Sequence, residues 1–192
     1  MQDTPRLLII IASTRPGRVG LPVARWFEQR ARGHGGLEVE MVDLAELDLP
    51  LMNEPSHPRL RQYTQEHTKR WSETVDAADA FVLVMPEYNH SFTAPLKNAI
   101  DYLSQEWSHK PIGFVSYGGV AAGARAVVAI EPVLVVLGLR PLPQAVQIPF
   151  VAQFLDDEGA VQANEMMEQA ADAMLSELAR QGAWMRELRA RA

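Results

Sequence analysis

Residues 7–12 (LLIIIA) form an apolar run that breaks off at Ser13-Thr14-Arg15-Pro16-Gly17-Arg18-Val19-Gly20. So short a run, rich in isoleucine and bounded by turn formers, predicts a buried strand rather than a helix. Beyond the polar stretch, Leu21, Ala24, Phe27 and Ala31 recur at helical spacing, with Pro22 where a first turn tolerates it, and Gly33-His34-Gly35-Gly36 is a stop. Residues 37–44 alternate apolar and polar, as a half-buried strand does. Residues 48–59 hold three prolines and no period, which predicts a long loop of the kind that meets a ligand or partner. A charged helix is predicted over 60–78, with Tyr63, His67, Trp71 and Val75 on one face. Residues 80–85 are apolar throughout and predict a central strand.

After Pro86-Glu87-Tyr88-Asn89-His90-Ser91-Phe92-Thr93, a helix is predicted over 94–106, with Thr93 as N-cap and Pro95 in its first turn. A fourth strand covers 112–116 and leads into Tyr117-Gly118-Gly119. The helix over 121–137 is interrupted or kinked at Pro132. Its end, 133–137, is apolar on every side, which predicts a subunit interface. A fifth strand lies within 139–148, an irregular segment covers 150–161, and a long helix covers 164–191 with Met167, Ala171, Met174 and Leu178 inward. Strands alternating with helices imply an α/β fold, a doubly wound parallel sheet with helices on both faces. In such sheets ligands sit beyond the carboxyl ends of the strands. The loops at 13–20, 86–93 and 116–120 all follow strand ends and are expected side by side.

Composition narrows the function. At 192 residues the chain suits a single domain over 1–192 with a substantial core. A net charge of −6 argues against nucleic acid as a partner but leaves room for one small anion held by local arginines. There is no cysteine, so disulfides and thiolate metal sites are excluded. His57, His67 and His109 share no metal-ligand spacing. Residues 1–5 lack the charged and apolar regions of a signal peptide, and no apolar run spans a bilayer, so a cytoplasmic protein is expected, with no membrane partner.

The first loop carries chemistry. A strand, a polar loop and a helix N-terminus together hold phosphate, because free amides and the positive end of the helix dipole point into the loop. Ser13 and Thr14 can donate hydrogen bonds, and Arg15 and Arg18 can pair with a dianion. A plain connection between strand and helix, as any alternating α/β fold needs, is the less favoured reading of the same residues. Gly-Lys-Ser/Thr of a Walker A loop and G-x-G-x-x-G of a dinucleotide loop are both absent. In the other two loops Tyr88, His90, Phe92 and Tyr117 can stack on or edge a ring, and Gly118 and Gly119 permit close backbone approach to a flat ligand. A phosphate site beside a flat slot fits a mononucleotide such as FMN.

With residues 12–18 (ASTRPGR), 86–91 (PEYNHS) running into 94–101 (APLKNAID), and 114–119 (FVSYGG), the chain resembles the NADPH-dependent FMN reductase family over residues 6 to about 180. The resemblance implies a flavodoxin-like five-stranded sheet of order 2-1-3-4-5 and FMN as cofactor, with NADPH (NADH possible) as electron donor. It implies that Ser13, Arg15, Arg18 and the turn at Gly20, Leu21 and Pro22 hold the FMN phosphate. Pro86, Glu87, Tyr88, Asn89 and His90 would line the ribityl chain and ring edge, and Ser116, Tyr117, Gly118 and Gly119 the pyrimidine side. It implies a homodimer or tetramer and a small-molecule electron acceptor: free flavin, quinone, azo compound or metal oxyanion. The flavin would carry the chemistry, with no catalytic side chain and ping-pong turnover. A flavodoxin-type carrier that binds FMN without oxidising NADPH is the alternative.

Other residues read as structure. Glu87 is expected to face solvent or an interface while its backbone binds, and Lys97 and Asp101 to pair along a helix. Trp26, Trp107 and Trp184 are expected to pack, and Arg186, Arg189 and Arg191 to form a solvated helix end.

Overall fold

The computed structural model describes residues 4–191; Met1–Asp3 and Ala192, and with them most of the segment inspected for a leader, lie outside the described residues. Strands β1 (Arg6–Ile11), β2 (Glu38–Asp43), β3 (Ala80–Pro86), β4 (Pro111–Tyr117) and β5 (Arg140–Ile148) alternate with helices α1 (Gly20–His34), α2 (Leu44–Leu47), α3 (Glu66–Ala77), α4 (Ala94–Asp101), α5 (Ala124–Val136) and α6 (Glu165–Arg189). The five strands lie in the order β2-β1-β3-β4-β5, all parallel, as the flavodoxin-like expectation requires. Strand β1 is apolar from Leu7 to Ile11, after an exposed Arg6, because both its faces are covered there. Leu7, Ile9 and Ile11 pack with Val23 and Phe27 of α1 and Met174 and Leu178 of α6. Leu8 and Ile10 pack with Trp71, Leu96 and Ile130 on the other face. A Cβ on Gly113 would lie 2.5 Å from Met174 Sδ, so glycine lets α6 settle onto β4.

Register positions the site. Ile11 pairs with Val84, and Pro86 with Tyr117, so adjacent strands β1, β3 and β4 end at one rim. Their three following loops are neighbours there.

Several boundaries differ from the sequence expectation, each for a local reason. Helix α3 starts at Glu66, not residue 60, because Arg61 turns left-handed (φ 51°) and the Glu54 carboxylate accepts the amides of Thr64 (2.8 Å) and Gln65 (3.0 Å). Burial pushes that carboxylate up, but these bonds and that from the Thr64 hydroxyl outweigh it and hold Glu54 at about 2. Helix α4 ends at Asp101, and Glu106 is drawn into the core, where it accepts from the hydroxyls of Ser72 (2.7 Å) and Tyr63 (2.8 Å). Helix α5 starts at Ala124 because Ala122 and Gly123 are left-handed. The four-residue helix α2 escaped the periodicity; Asp43 caps it by accepting from Ala45 N–H at 2.9 Å.

The tail arginines are not simply solvated. Asp79, buried at the opposite end of the sheet, accepts from Arg189 Nη2 (2.5 Å), Arg186 Nη1 (3.3 Å) and the amide of Arg6 (3.0 Å), so α6 is fastened to β1 and β3. Trp107 is buried and Trp26 partly so, but Trp184 is exposed. Lys97 pairs with Asp101 as expected, at 2.5 Å. Val128, Val135 and Val136 of α5 face outward. Strand β5, at one edge of the sheet, carries Pro141 and Pro143 and a register shift against β4. Among the described residues no helix is long and apolar enough to cross a membrane, and no grouping of residues could hold a metal ion.

Candidate functional site

The loop after β1 is fixed from two sides. Ser13 is buried, with Oγ 2.9 Å from Tyr88 Oη, which ties this loop to the one after β3. Thr93 donates to the carbonyl of Ala12 at 2.7 Å and accepts from Leu96 N–H at 3.4 Å, so the N-cap of α4 also fastens the end of β1. Arg18 folds back onto Asp43 at the end of β2. Both side chains are largely buried, and Arg18 Nε has no acceptor among the described residues. Arg15 is exposed; its carbonyl accepts from Arg18 N–H at 3.1 Å, but its side chain makes no hydrogen bond or ion pair among the described residues. The two arginines, equivalent in the sequence, therefore differ: Arg18 shapes the loop, and Arg15 is a free cation on it.

Helix α1 has no side-chain cap at Val19. The first amide to donate back is Val23, to Val19 O at 3.2 Å, which leaves the N–H groups of Gly20 and Leu21 without intrahelical acceptors; Pro22 has none to satisfy. Immediately beneath lies Tyr117. A Cβ on Gly20 would sit 2.5 Å from Tyr117 Oη, so only glycine leaves the phenol room. Tyr117 is buried, not turned outward as a stacking ring, and its hydroxyl has no partner among the described residues. Burial raises this hydroxyl well above the usual tyrosine range, with Tyr88 adding to the rise. Ser13, Arg15 and Arg18 pull the other way, although the Ser13 hydroxyl is paired with that of Tyr88. The phenol therefore stays a neutral donor. A buried unsatisfied donor is costly, of the order of 1–3 kcal/mol. Here it adjoins an uncapped helix N-terminus, a serine and a free arginine. That donor set fits the oxygens of a phosphate.

The loop after β3 is a two-residue hairpin turn. Tyr88 and Ser91 exchange backbone hydrogen bonds of 2.9 Å each, and Asn89 and His90 between them are left-handed, φ 51° and 63°. Asparagine and histidine are among the non-glycine residues that enter this conformation most readily, at some cost in backbone strain. Pro86 ends the buried strand, and Tyr88, Asn89 and His90 are exposed at the rim. Glu87 does not face solvent. Its side chain is only 9% exposed and accepts from Arg125 Nε (2.5 Å) and Arg125 N–H (3.2 Å), and Arg125 Nη1 reaches His90 Nε2 at 2.9 Å.

In the third loop the hydroxyl of Ser116 is committed internally, donating to Ala122 O at 2.8 Å. Gly118 backs onto Gly123, whereas a Cβ on Gly119 would meet nothing within 4 Å. The open face at Gly119 is thus the part of this loop a ligand can approach. Beside Thr14 a cleft of about 440 Å³ opens between the α2 region and α4, lined by Leu44, Leu49, Leu51, Ala94, Pro95 and Asn98. Asp43 and Arg125 escaped the sequence reading because their partners, 25 and 38 positions away, meet them only through the fold.

A family profile described as NADPH-dependent FMN reductase matches residues 5–153. An NAD(P)H-dependent FMN reductase of Schizosaccharomyces pombe is 41% identical over 125 residues, covering 64% of this chain and 62% of that protein. The NAD(P)H-dependent FMN reductase ntnL of a Nectria species is 33% identical over 153 residues, 77% of this chain and 76% of that one. The match thus spans less than two thirds of the length of the first relative and about three quarters of the second. Among solved structures, FerB, a flavoenzyme NAD(P)H:(acceptor) oxidoreductase from Paracoccus denitrificans, shares the fold with TM-score 0.75 at 21% identity, over 95% of this chain and 98% of that one.

Proposed function

Because this chain belongs to the NADPH-dependent FMN reductase family, we propose that it is an FMN-dependent NAD(P)H oxidoreductase acting on a small electron acceptor. The observation that carries the reading is the unpartnered Tyr117 hydroxyl beneath the uncapped end of α1, beside Ser13 and the free Arg15. Arg15, Tyr117, Ser13 and the amides of Gly20 and Leu21 bind the phosphate. Pro22 presets the first turn, and Arg18 holds the loop's shape through Asp43. The turn from Pro86 to His90 lines the ring edge through its backbone, with Glu87 supporting it from behind. Gly118 and Gly119 admit the pyrimidine side, and Ser116 keeps that loop closed on itself.

FMN, when bound, supplies the hydride and electron chemistry. The chain's own residues bind, orient and shield, and no side chain is required to move a proton. One open face serves donor and acceptor in turn, so initial-rate plots run parallel as acceptor is varied. The cleft beside Thr14, with Leu44, Leu49, Leu51 and Pro95 on its walls and Asp48 and Asn98 as its polar groups, suits a flat, weakly polar acceptor such as a quinone. The outward valines of α5 are read as an interface between copies in a homodimer or tetramer.

The test is the absorption spectrum of the purified protein before and after FMN titration, followed by NADPH and NADH oxidation with and without acceptor. Flavin binding with acceptor-dependent oxidation supports the reading. Flavin binding with a stable semiquinone on photoreduction and no nicotinamide oxidation would make the protein a carrier instead. No flavin binding would end the proposal.

A further inference from the structure

The hairpin turn after β3 is closed by the paired backbone bonds of Tyr88 and Ser91, and one of its side chains is held from outside it. Its second central residue, His90, is left-handed at φ 63°, an uncommon conformation for any residue but glycine. What meets it is the guanidinium of Arg125, at the start of α5. Nε and the backbone amide of Arg125 are both given to Glu87, and Nη1 is given to Nε2 of His90 at 2.9 Å. Three groups from two elements thus form a chain: a carboxylate, a guanidinium and an imidazole.

The protonation states in this chain follow from donor chemistry. A guanidinium keeps all its protons and can only donate. Nε2 of His90 must therefore accept, which leaves the proton of the neutral ring on Nδ1. A second proton on the ring would set donor against donor beside a fixed cation. The groups that meet the turn are few. Glu87 lies on the turn itself, Arg125 comes from α5, and Gly118 flanks Glu87 from the third loop. Ser13, uncharged, reaches the turn from the first loop through Tyr88. Only Arg125 and Glu87 carry charge in this set.

Resting on the flavin reading above, we propose that Arg125 is a positioning residue: it holds the 88–91 turn in its cofactor-lining shape by selecting the neutral, Nδ1-protonated form of His90, and protonation of His90 releases the turn. The clasp works as one unit, because Glu87 orients the guanidinium and the guanidinium orients the ring. Its release would leave the turn held by the Tyr88–Ser91 backbone bonds alone, and the loop that faces the cofactor would lose its side-chain brace.

Two measurements test this. The first uses flavin-free protein and side-chain nitrogen NMR, with the His90 signals assigned by their loss in His90→Gln. The expected result is the Nδ1–H tautomer in the wild type and its replacement by the Nε2–H tautomer in Arg125→Met. Nε2–H in the wild type overturns the proposal. The second titrates FMN by fluorescence at about pH 8 and about pH 5.5. Affinity in the wild type is expected to fall about tenfold more steeply than in His90→Gln, whose amide oxygen can accept from Arg125 at either pH. Equal slopes in the two proteins overturn the proposal. If FMN binds at neither pH, the flavin reading fails and the tautomer measurement alone decides the clasp.

Discussion

Replacing Tyr117 by phenylalanine removes one oxygen from a buried position and nothing else, which makes it the most direct probe of the site. In the free protein that oxygen has no hydrogen-bond partner among the described residues and sits against Gly20. Leaving a buried hydroxyl unsatisfied costs about 1–3 kcal/mol, so its removal should stabilise the flavin-free protein. The small void left against the first turn of α1 offsets part of that gain, and a net stabilisation of about 1 kcal/mol is expected. For a chain of this length that corresponds to a rise of about 3 °C in Tm. In the flavin-bound protein the sign reverses. A hydrogen bond to a charged phosphate is lost, worth about 1.5–3 kcal/mol, so FMN affinity should fall about tenfold or more. Urea denaturation without flavin gives the first number, and fluorescence titration of FMN gives the second. The opposite signs are the diagnostic. A variant that is less stable without flavin and binds FMN as tightly as the wild type would show that the phenol is a structural donor, and the phosphate would then have to sit elsewhere.

The two loop arginines should separate under alanine substitution. Arg15→Ala should weaken FMN binding by about 1.5–3 kcal/mol and leave stability within about 0.5 kcal/mol, because the Arg15 side chain pairs with nothing among the described residues. Arg18→Ala should lower stability by about 3 kcal/mol in urea, because it strands buried Asp43. Lys110 is buried and donates to the carbonyls of Val75 (2.8 Å) and Asp76 (2.9 Å), and burial, with Arg189 adding to it, pulls the ammonium down from 10.5 to about 8. Between those values the unfolded chain keeps a proton that the folded chain has lost, so stability rises with pH there. The stability of the wild type relative to Lys110→Met should therefore grow by about 3 kcal/mol from about pH 8 to about pH 10.5, and a flat difference would refute the buried-ammonium account. Val136→Asp, on the outward face of α5, should shift the sedimentation of an assembled wild type to that of a single chain; a wild type that already sediments as one chain would remove the interface.

The parts of this fold legible in the sequence were those fixed by local periodicity. The uninterrupted apolar runs of β1 and β3 announce strands covered on both faces, and Thr93 and Pro95 announce the start of α4. The boundaries that differed were set by distant partners. Glu54 takes the amides that would have begun α3 earlier, and Glu106, charged and expected on a helix, is buried among hydroxyls. The same division holds at the site. Ser13, Arg15 and the turn at Gly20 could be marked from their place after a strand. That Arg18 serves Asp43, that Tyr117 points inward under Gly20, and that Glu87 is held by Arg125 depend on which strands neighbour one another. A single chain read in order carries no record of those meetings.

The outer strands have a further consequence. Arg140 N–H is given to Lys110 O, so the next position, Pro141, turns toward the unpaired side of β5 and brings no donor to it. Pro143 interrupts the same margin, and the register shift against β4 bends it. At the far side β2 sets exposed Glu38 and Glu40 along its length. Both margins are poor templates for another strand, so copies of this protein are steered away from cross-β growth.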